Sequence, residues 1–167
     1  MRNNLKCIAA MSQNRGIGYH GRLLFHLKGD MAQFRELTLY QCAVYGRDTM
    51  LTMPHGRPLE DRDNVVLTHD PDFKAGFAHI AHSKEEVLDY LDHLSGDREV
   101  YVCGGQSVYE MLLPYSDTVY LTVVEQDMKA DRFFPQLDES WHKDMASESF
   151  EDNGLHYHYE IYRRKRN

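Results

Sequence analysis

The sequence predicts an α/β fold: a mostly parallel, twisted sheet with helices on both faces. Three observations point to it. Short apolar runs alternate with segments of helical period through the first two thirds of the chain. Two of those runs end in glycine just where a helix begins. The last stretch alternates apolar with polar residues, as a half-wetted strand does. The 167 residues, 42% hydrophobic and 27% charged, suit one globular domain covering 1–167.

In order, Cys7–Met11 is too short for a helix of ordinary length and reads as a buried strand. Ser12 to Arg22 is polar and glycine-containing and reads as a long loop. Leu27, Met31, Phe34, Leu37 and Thr38 then recur at helical spacing, predicting an amphipathic helix over Leu27–Leu39. Cys42–Tyr45 is a second strand broken by Gly46, followed by a short helix from about Asp48 to Met53. Val65–Thr68 is a third strand and Ala78–Ala81 a short fourth. Ser83 with Glu86 forms a capping box for a helix that carries Val87, Leu88, Leu91 and Leu94. Val100–Cys103 runs straight into Gly104-Gly105, and a helix from about Gln106 is stopped by Pro114. Val119–Val124 is another strand. Leu155, Tyr157, Tyr159 and Ile161 alternate with polar neighbours and predict a C-terminal strand at the edge of a mixed sheet.

Composition excludes several classes. A formal charge of -7 gives no electrostatic support to nucleic-acid binding. The one basic cluster, Arg163–Arg166, reads as a solvated strand end. Cys7, Cys42 and Cys103 are odd in number and widely spaced, giving neither a disulfide framework nor a zinc pattern. No apolar run approaches a membrane span, and MRNNLKCIAAM is too short an apolar stretch for a signal peptide, so a cytoplasmic location is expected. No interface stripe stands out, and a monomer is expected.

Two segments, Gly46-Arg47-Asp48-Thr49 and Gly104-Gly105-Gln106-Ser107, place a helix start behind a strand-ending glycine. Free N–H groups there face outward, and two such anion-facing turns suit a dinucleotide, although a glycine after a strand is often only a turn. The GxGxxG fingerprint is absent. Asp30 borders the apolar stripe of its helix, near Phe25. A carboxylate half-buried there would have a raised pKa and suit an amidine-like heterocycle edge. Alternatively, Asp30 simply favours a helix N-terminus.

Ile17-Gly18, Leu27–Met31 with Phe34 and Arg35, Gly46–Thr49, Gly56–Leu59 with Arg62 and Asn64 through Leu67, Gly104-Gly105 with Val108–Glu110, Tyr120–Thr122, and Phe134-Pro135 follow one another in an order that resembles the dihydrofolate reductase family. The resemblance runs from about Leu5 to Arg163. It implies an eight-stranded sheet and hydride transfer from NADPH to C6 of dihydrofolate with protonation of N5, giving tetrahydrofolate. By resemblance, Asp30 grips the pterin 2-amino group and N3, and Thr122 hydrogen-bonds Asp30. Arg62 takes the α-carboxylate of the glutamyl tail. Met31, Phe34, Met53 and Leu59 wall the pocket, Ile8 and Cys103 offer carbonyls, and Tyr109 lies near the nicotinamide. Ala10, Ile17 and Gly18 flank the nicotinamide as well. Gly46, Arg47, Asp48 and Thr49 lie near the phosphates and Thr68 and His69 beside the adenosine. Gly104, Gly105, Gln106, Ser107 and Val108 lie under the pyrophosphate, with Gly104-Gly105 a cis pair, and Ser12–Leu24 is the lid. No metal is implied.

The chain departs from the family pattern in places. Leu24-Phe25 replaces Pro-Trp, so Phe25 cannot hold the water that tryptophan holds near the reacting centre. Lys28 replaces a common proline, Asp48 a common basic residue, Gln106 a small one, and Glu60-Asp61 a Pro-Gly. The nearest rival is a related reductase of another pterin or of a pyrimidine in riboflavin synthesis. A non-catalytic nucleotide-binding scaffold is the rival of another class.

Overall fold

A computed structural model describes residues 5–94 and 97–165. Met1–Asn4, part of the stretch read as lacking a signal peptide, and Arg166 of the basic cluster lie outside the described residues. The chain begins with β1 (Leu5–Ser12), two short strands β2 (Gly16–Tyr19) and β3 (Arg22–Leu23), and helix α1 (Lys28–Thr38). Next come β4 (Cys42–Gly46), α2 (Arg47–Met50), β5 (Asp63–Leu67), β6 (His79–Ala81), α3 (Lys84–Asp92) and β7 (Val100–Val102). After α4 (Gln106–Leu112) the chain is almost all strand: β8 (Thr118–Val124), β9 (Arg132–Phe133), β10 (Trp141–Ala146), β11 (Phe150–Asp152) and β12 (Leu155–Arg164).

Eight strands lie in the order β10-β12-β8-β1-β7-β4-β5-β6, and β11 adds a ninth by pairing with β12. From β8 to β6 every neighbouring pair is parallel, while β12 runs antiparallel to both β8 and β10. Central strands covered on both faces need unbroken apolar runs. Cys42–Tyr45 and Val100–Val102 supply them, every residue being buried. Alternation divides the core between the faces: Cys42 and Val44 pack with Val87, Leu91 and Leu112 of α3 and α4. Ala43 and Tyr45 face the other way, against Met50, Leu59 and the partly buried Phe34.

Several expectations need correction. Ser12–Arg22 is not simply a loop, because β2 pairs with β3 and β9 in a separate three-stranded sheet. Short polar strands carry little periodic signal, and β9 lies far away in sequence. The second helix is shorter and earlier than expected, ending at Met50 before Pro54 opens a 3-10 turn. The C-terminal strand is not the edge, since β10 covers it and leaves all but Trp141 of its own residues exposed. Nor is the basic cluster merely solvated. The Arg164 guanidinium lies 4.1 Å from the centre of the Trp141 ring and donates to the carbonyls of Ser116 and Leu113. Arg163 pairs with Asp144 at 3.0 Å.

Because β4 and β7 are neighbours, the two glycine turns singled out in the sequence meet. Gly46 N–H donates to the Gly104 carbonyl at 2.8 Å. Both turns leave the C-terminal ends of parallel strands, where ligands of open α/β sheets bind.

Candidate active site

A cleft of about 1900 Å³ crosses these strand ends. A single drug-sized ligand occupies a pocket of roughly 300–1,000 Å³, so this cleft has room for two extended ligands or one very large one. Every site residue named from the sequence lines it except Thr122.

Thr122 reaches the cleft through its partner. It lies buried on β8, and its Oγ1 donates to Asp30 Oδ1. Asp30 occupies the first turn of α1, but its carboxylate turns to the sheet rather than capping its own helix. Burial raises the Asp30 pKa above its usual 3.8, and the Thr122 hydrogen bond only partly opposes this. The helix carrying Asp30 sits very close to the sheet. A Cβ on Gly29 would lie 2.8 Å from the Tyr157 hydroxyl, so a side chain there would require Tyr157 to shift. Phe25 packs with the Leu27, Val124 and Tyr157 cluster beneath the same end of the cleft.

Tyr109 forms the floor between the two ends. Its hydroxyl donates to the Ile8 carbonyl at 2.6 Å and its ring meets Phe134 edge-on at 4.8 Å. Burial pushes its pKa well above the ordinary phenol value, which keeps it a donor. Gly104 has φ +116, a conformation for glycine, and a Cβ on it would meet the Tyr109 ring at 3.3 Å. The Gly104-Gly105 peptide is cis.

Beyond Phe34 the cleft ends at Arg62. This side chain is 9% exposed, and it donates to Thr38 Oγ1 at 3.2 Å and to the Glu60 carbonyl at 2.7 Å, both neutral acceptors. Burial and the neighbouring Arg35 lower its pKa, so the site holds positive charge that an entering carboxylate would relieve. Arg35 also lines the cleft and was not singled out as a site residue from the sequence. Its helical position gives the missing signal: Asp30, Met31, Phe34 and Arg35 follow the spacing of one α1 stripe.

At the opposite end, Arg47 pairs with Asp70 at 3.3 Å and lies over the Phe73 ring at 4.7 Å. Thr68 is buried and Asp48 and His69 are exposed on the rim. His82 Nδ1 meets the Thr68 carbonyl at 2.9 Å. Asp70 and His82 line this end, and neither was singled out from the sequence. The Gln106 side chain turns away to accept from the Phe133 N–H at 2.9 Å, joining the start of α4 to β9. Ile17 and Gly18 of β2 line the cleft beside it, and Ala10 lies at the end of β1. Cys103 is half-buried at the cleft floor, and burial raises its thiol pKa, so the thiol stays protonated.

The dihydrofolate reductase family model matches residues 4–166. A dihydrofolate reductase of Bacillus subtilis is 37% identical over 161 residues, covering 95% of this chain and 93% of that protein. One from Staphylococcus haemolyticus is 29% identical over 165 residues, covering 97% and 96%. Among solved structures, dihydrofolate reductase from Enterococcus faecalis complexed with NADP(H) and RAB-propyl superposes with a TM-score of 0.86. It shares 33% identity, with 97% of this chain and 96% of that chain covered.

Proposed function

Because the chain belongs to the dihydrofolate reductase family, we propose that it reduces dihydrofolate to tetrahydrofolate, taking hydride from NADPH. The observation that carries this reading is the half-buried Asp30 carboxylate, bound by Thr122 at the apolar end of the cleft. A carboxylate there can accept two hydrogen bonds from the 2-amino and N3 positions of a pterin and fix its orientation.

The glycines suit a dinucleotide. A Cβ on Gly46 would touch Val108 at 3.4 Å and one on Gly105 would touch Thr49 at 3.4 Å, so the two glycines let the turns pack closely at the cleft. NADPH, when bound, supplies the hydride. Gly104 through Val108 would underlie its pyrophosphate, Arg47, Asp48 and Thr49 would lie near the phosphates, and Thr68 and His69 near the adenosine. Ala10, Ile17 and Gly18 would flank the nicotinamide.

The protein's own contribution is positioning and electrostatics. Asp30 and Thr122 hold the pterin, and the carbonyls of Ile8 and Cys103 orient it. Asp30 grips the far edge of the ring, so water would deliver the proton to N5. Met31, Phe34, Met53 and Leu59 exclude solvent from the reacting face, and Arg62 takes the glutamyl α-carboxylate. Phe25 offers no hydrogen-bond donor to fix a water beside the ring.

Loss of NADPH absorbance with dihydrofolate, for wild type and Asp30→Asn, tests the reading. Turnover is expected in wild type, with kcat/KM falling by about a hundredfold or more in the variant, the scale of losing hydrogen bonds to a charged group. Folded wild-type protein that consumed no NADPH with dihydrofolate would overturn it and direct attention to other pterins and to pyrimidines.

A further inference from the structure

The adenosine end of the cleft carries an unusual charge arrangement for a site that must hold a 2′-phosphate. Within segments 46–49, 67–70 and 82–83, Arg47 is the one permanently cationic side chain among the described residues lining the cleft. Two carboxylates, Asp48 and Asp70, line the same end. Asp70 is built into its turn. Its N–H donates to Thr68 Oγ1 at 3.2 Å and its Oδ1 accepts from the Asp72 N–H at 2.9 Å. That leaves Oδ2 aimed at Arg47 Nη1, 3.3 Å away, while the Phe73 ring covers one face of the guanidinium.

A 2′-phosphate brings a charge of about −1.5 to −2, and here it would share its cation with a fixed carboxylate. A 2′-hydroxyl brings no charge, so the fixed carboxylate does not oppose it. We infer that Asp70 is a specificity-determining residue: by holding Arg47 it weakens the grip on the 2′-phosphate and lets the site accept NADH alongside NADPH. The inference rests on reading this end of the cleft as the adenosine site.

Calorimetric titration of the full chain tests it without turnover, using NADPH and NADH and, as fragments, adenosine 2′,5′-bisphosphate and 5′-AMP. Asp70→Asn keeps the size and the turn hydrogen bond but removes the charge. It is expected to tighten NADPH and the bisphosphate about five- to tenfold, the scale of one partly screened charge. NADH and 5′-AMP should shift by no more than about twofold, and the gain should shrink as salt is raised. Asp48→Asn, whose side chain lies exposed on the rim, should move NADPH in the same direction and serves if Asp70→Asn does not fold. Unchanged or weaker NADPH affinity in a folded variant overturns the inference alone. A wild-type chain that bound neither dinucleotide would overturn the reading of the cleft and the inference with it.

Discussion

The backbone N–H of Lys28 donates to Asp152 Oδ2 at 2.6 Å, so α1 is capped from the distant β11–β12 hairpin and not by its own N-cap residue, Leu27. Proline in place of Lys28 would have no N–H to satisfy. Leu27, at φ -112 and ψ 115, already holds the extended conformation preferred before proline. Asp152→Ala should therefore cost about 1 kcal/mol in wild type, the usual value of a cap. In a Lys28→Pro background the same change should cost much less. Urea unfolding of the four proteins in this double-mutant cycle measures the difference, and equal costs would refute the capping account.

Asp30 is expected to weaken the fold it serves. Its folded pKa is raised above 3.8, so above the folded value the native state carries a charge that burial disfavours. Asp30→Asn removes that charge. Its thermal midpoint at neutral pH should equal or exceed that of wild type even as activity collapses. The difference should fade as pH falls through the raised pKa towards 3.8, where wild-type Asp30 becomes neutral. Melting curves for both proteins across acid and neutral pH decide it. A variant less stable at neutral pH would show that the Thr122 hydrogen bond outweighs desolvation.

Gln106 joins the start of α4 to the small sheet through its bond to the Phe133 N–H. Gln106→Ala should cost about 1 kcal/mol or less, as one neutral hydrogen bond does, but should speed amide exchange at Phe133. Gln106→Glu keeps an acceptor, so Phe133 should stay protected while NADPH binding weakens from the added negative charge. Exchange at Phe133 unaffected by the alanine would mean that the contact holds nothing in place.

His158 lies between two carboxylates, 2.6 Å from Glu125 and 2.7 Å from Glu160. Partial burial opposes its protonation, yet hydrogen bonds to Glu160 and Glu125 prevail and leave its pKa above 6.5. Ser149 and His158 lower the Glu125 pKa; at Glu160 burial works upward, but His158, Tyr162 and Lys143 bring it below its usual value. The histidine contribution is therefore complete below pH 6.5 and is lost as pH rises through its folded pKa. The carboxylate contributions are complete above 4.5 and are lost as pH falls through their lowered values. Stability measured against pH in wild type and His158→Gln should differ most between these limits and converge in alkali. Curves that stayed parallel through neutral pH would contradict this.

Much of the parallel half of the fold was legible because β4, β5 and β7 carry apolar runs that are followed by Gly46, Pro71 and Gly104. The other half was less so. Trp141–Ala146 buries only its first residue and offers no alternating face to read. Asn153-Gly154, with φ +55 and +78, is a two-residue hairpin signal, but Glu151 and Asp152 on its near side offer no apolar alternation. At the cleft, the resemblance and the glycine turns named residues that the fold does bring together. The oppositely charged pairing of Arg47 with Asp70 could not be read, because the residues are far apart in sequence and neither has a periodic neighbour to reveal it. Arg35 was overlooked for a different reason: its position on the α1 stripe was visible, but an exposed arginine at a helix end has an ordinary surface explanation.

β12 follows every other described element, yet it pairs with both β8 and β10 and its hairpin partner β11 caps the helix that carries Asp30. A ribosome delivers the parallel strands first, and they can align before this strand emerges. The Asp30 end of the cleft cannot be finished at that stage, because its helix still lacks Asp152 and the support of Tyr157. Catalytic competence should therefore arrive abruptly once β11 and β12 have emerged. By the same logic, the turn at Asn153-Gly154 is a natural place to split the chain, giving two inactive halves whose reunion restores the enzyme.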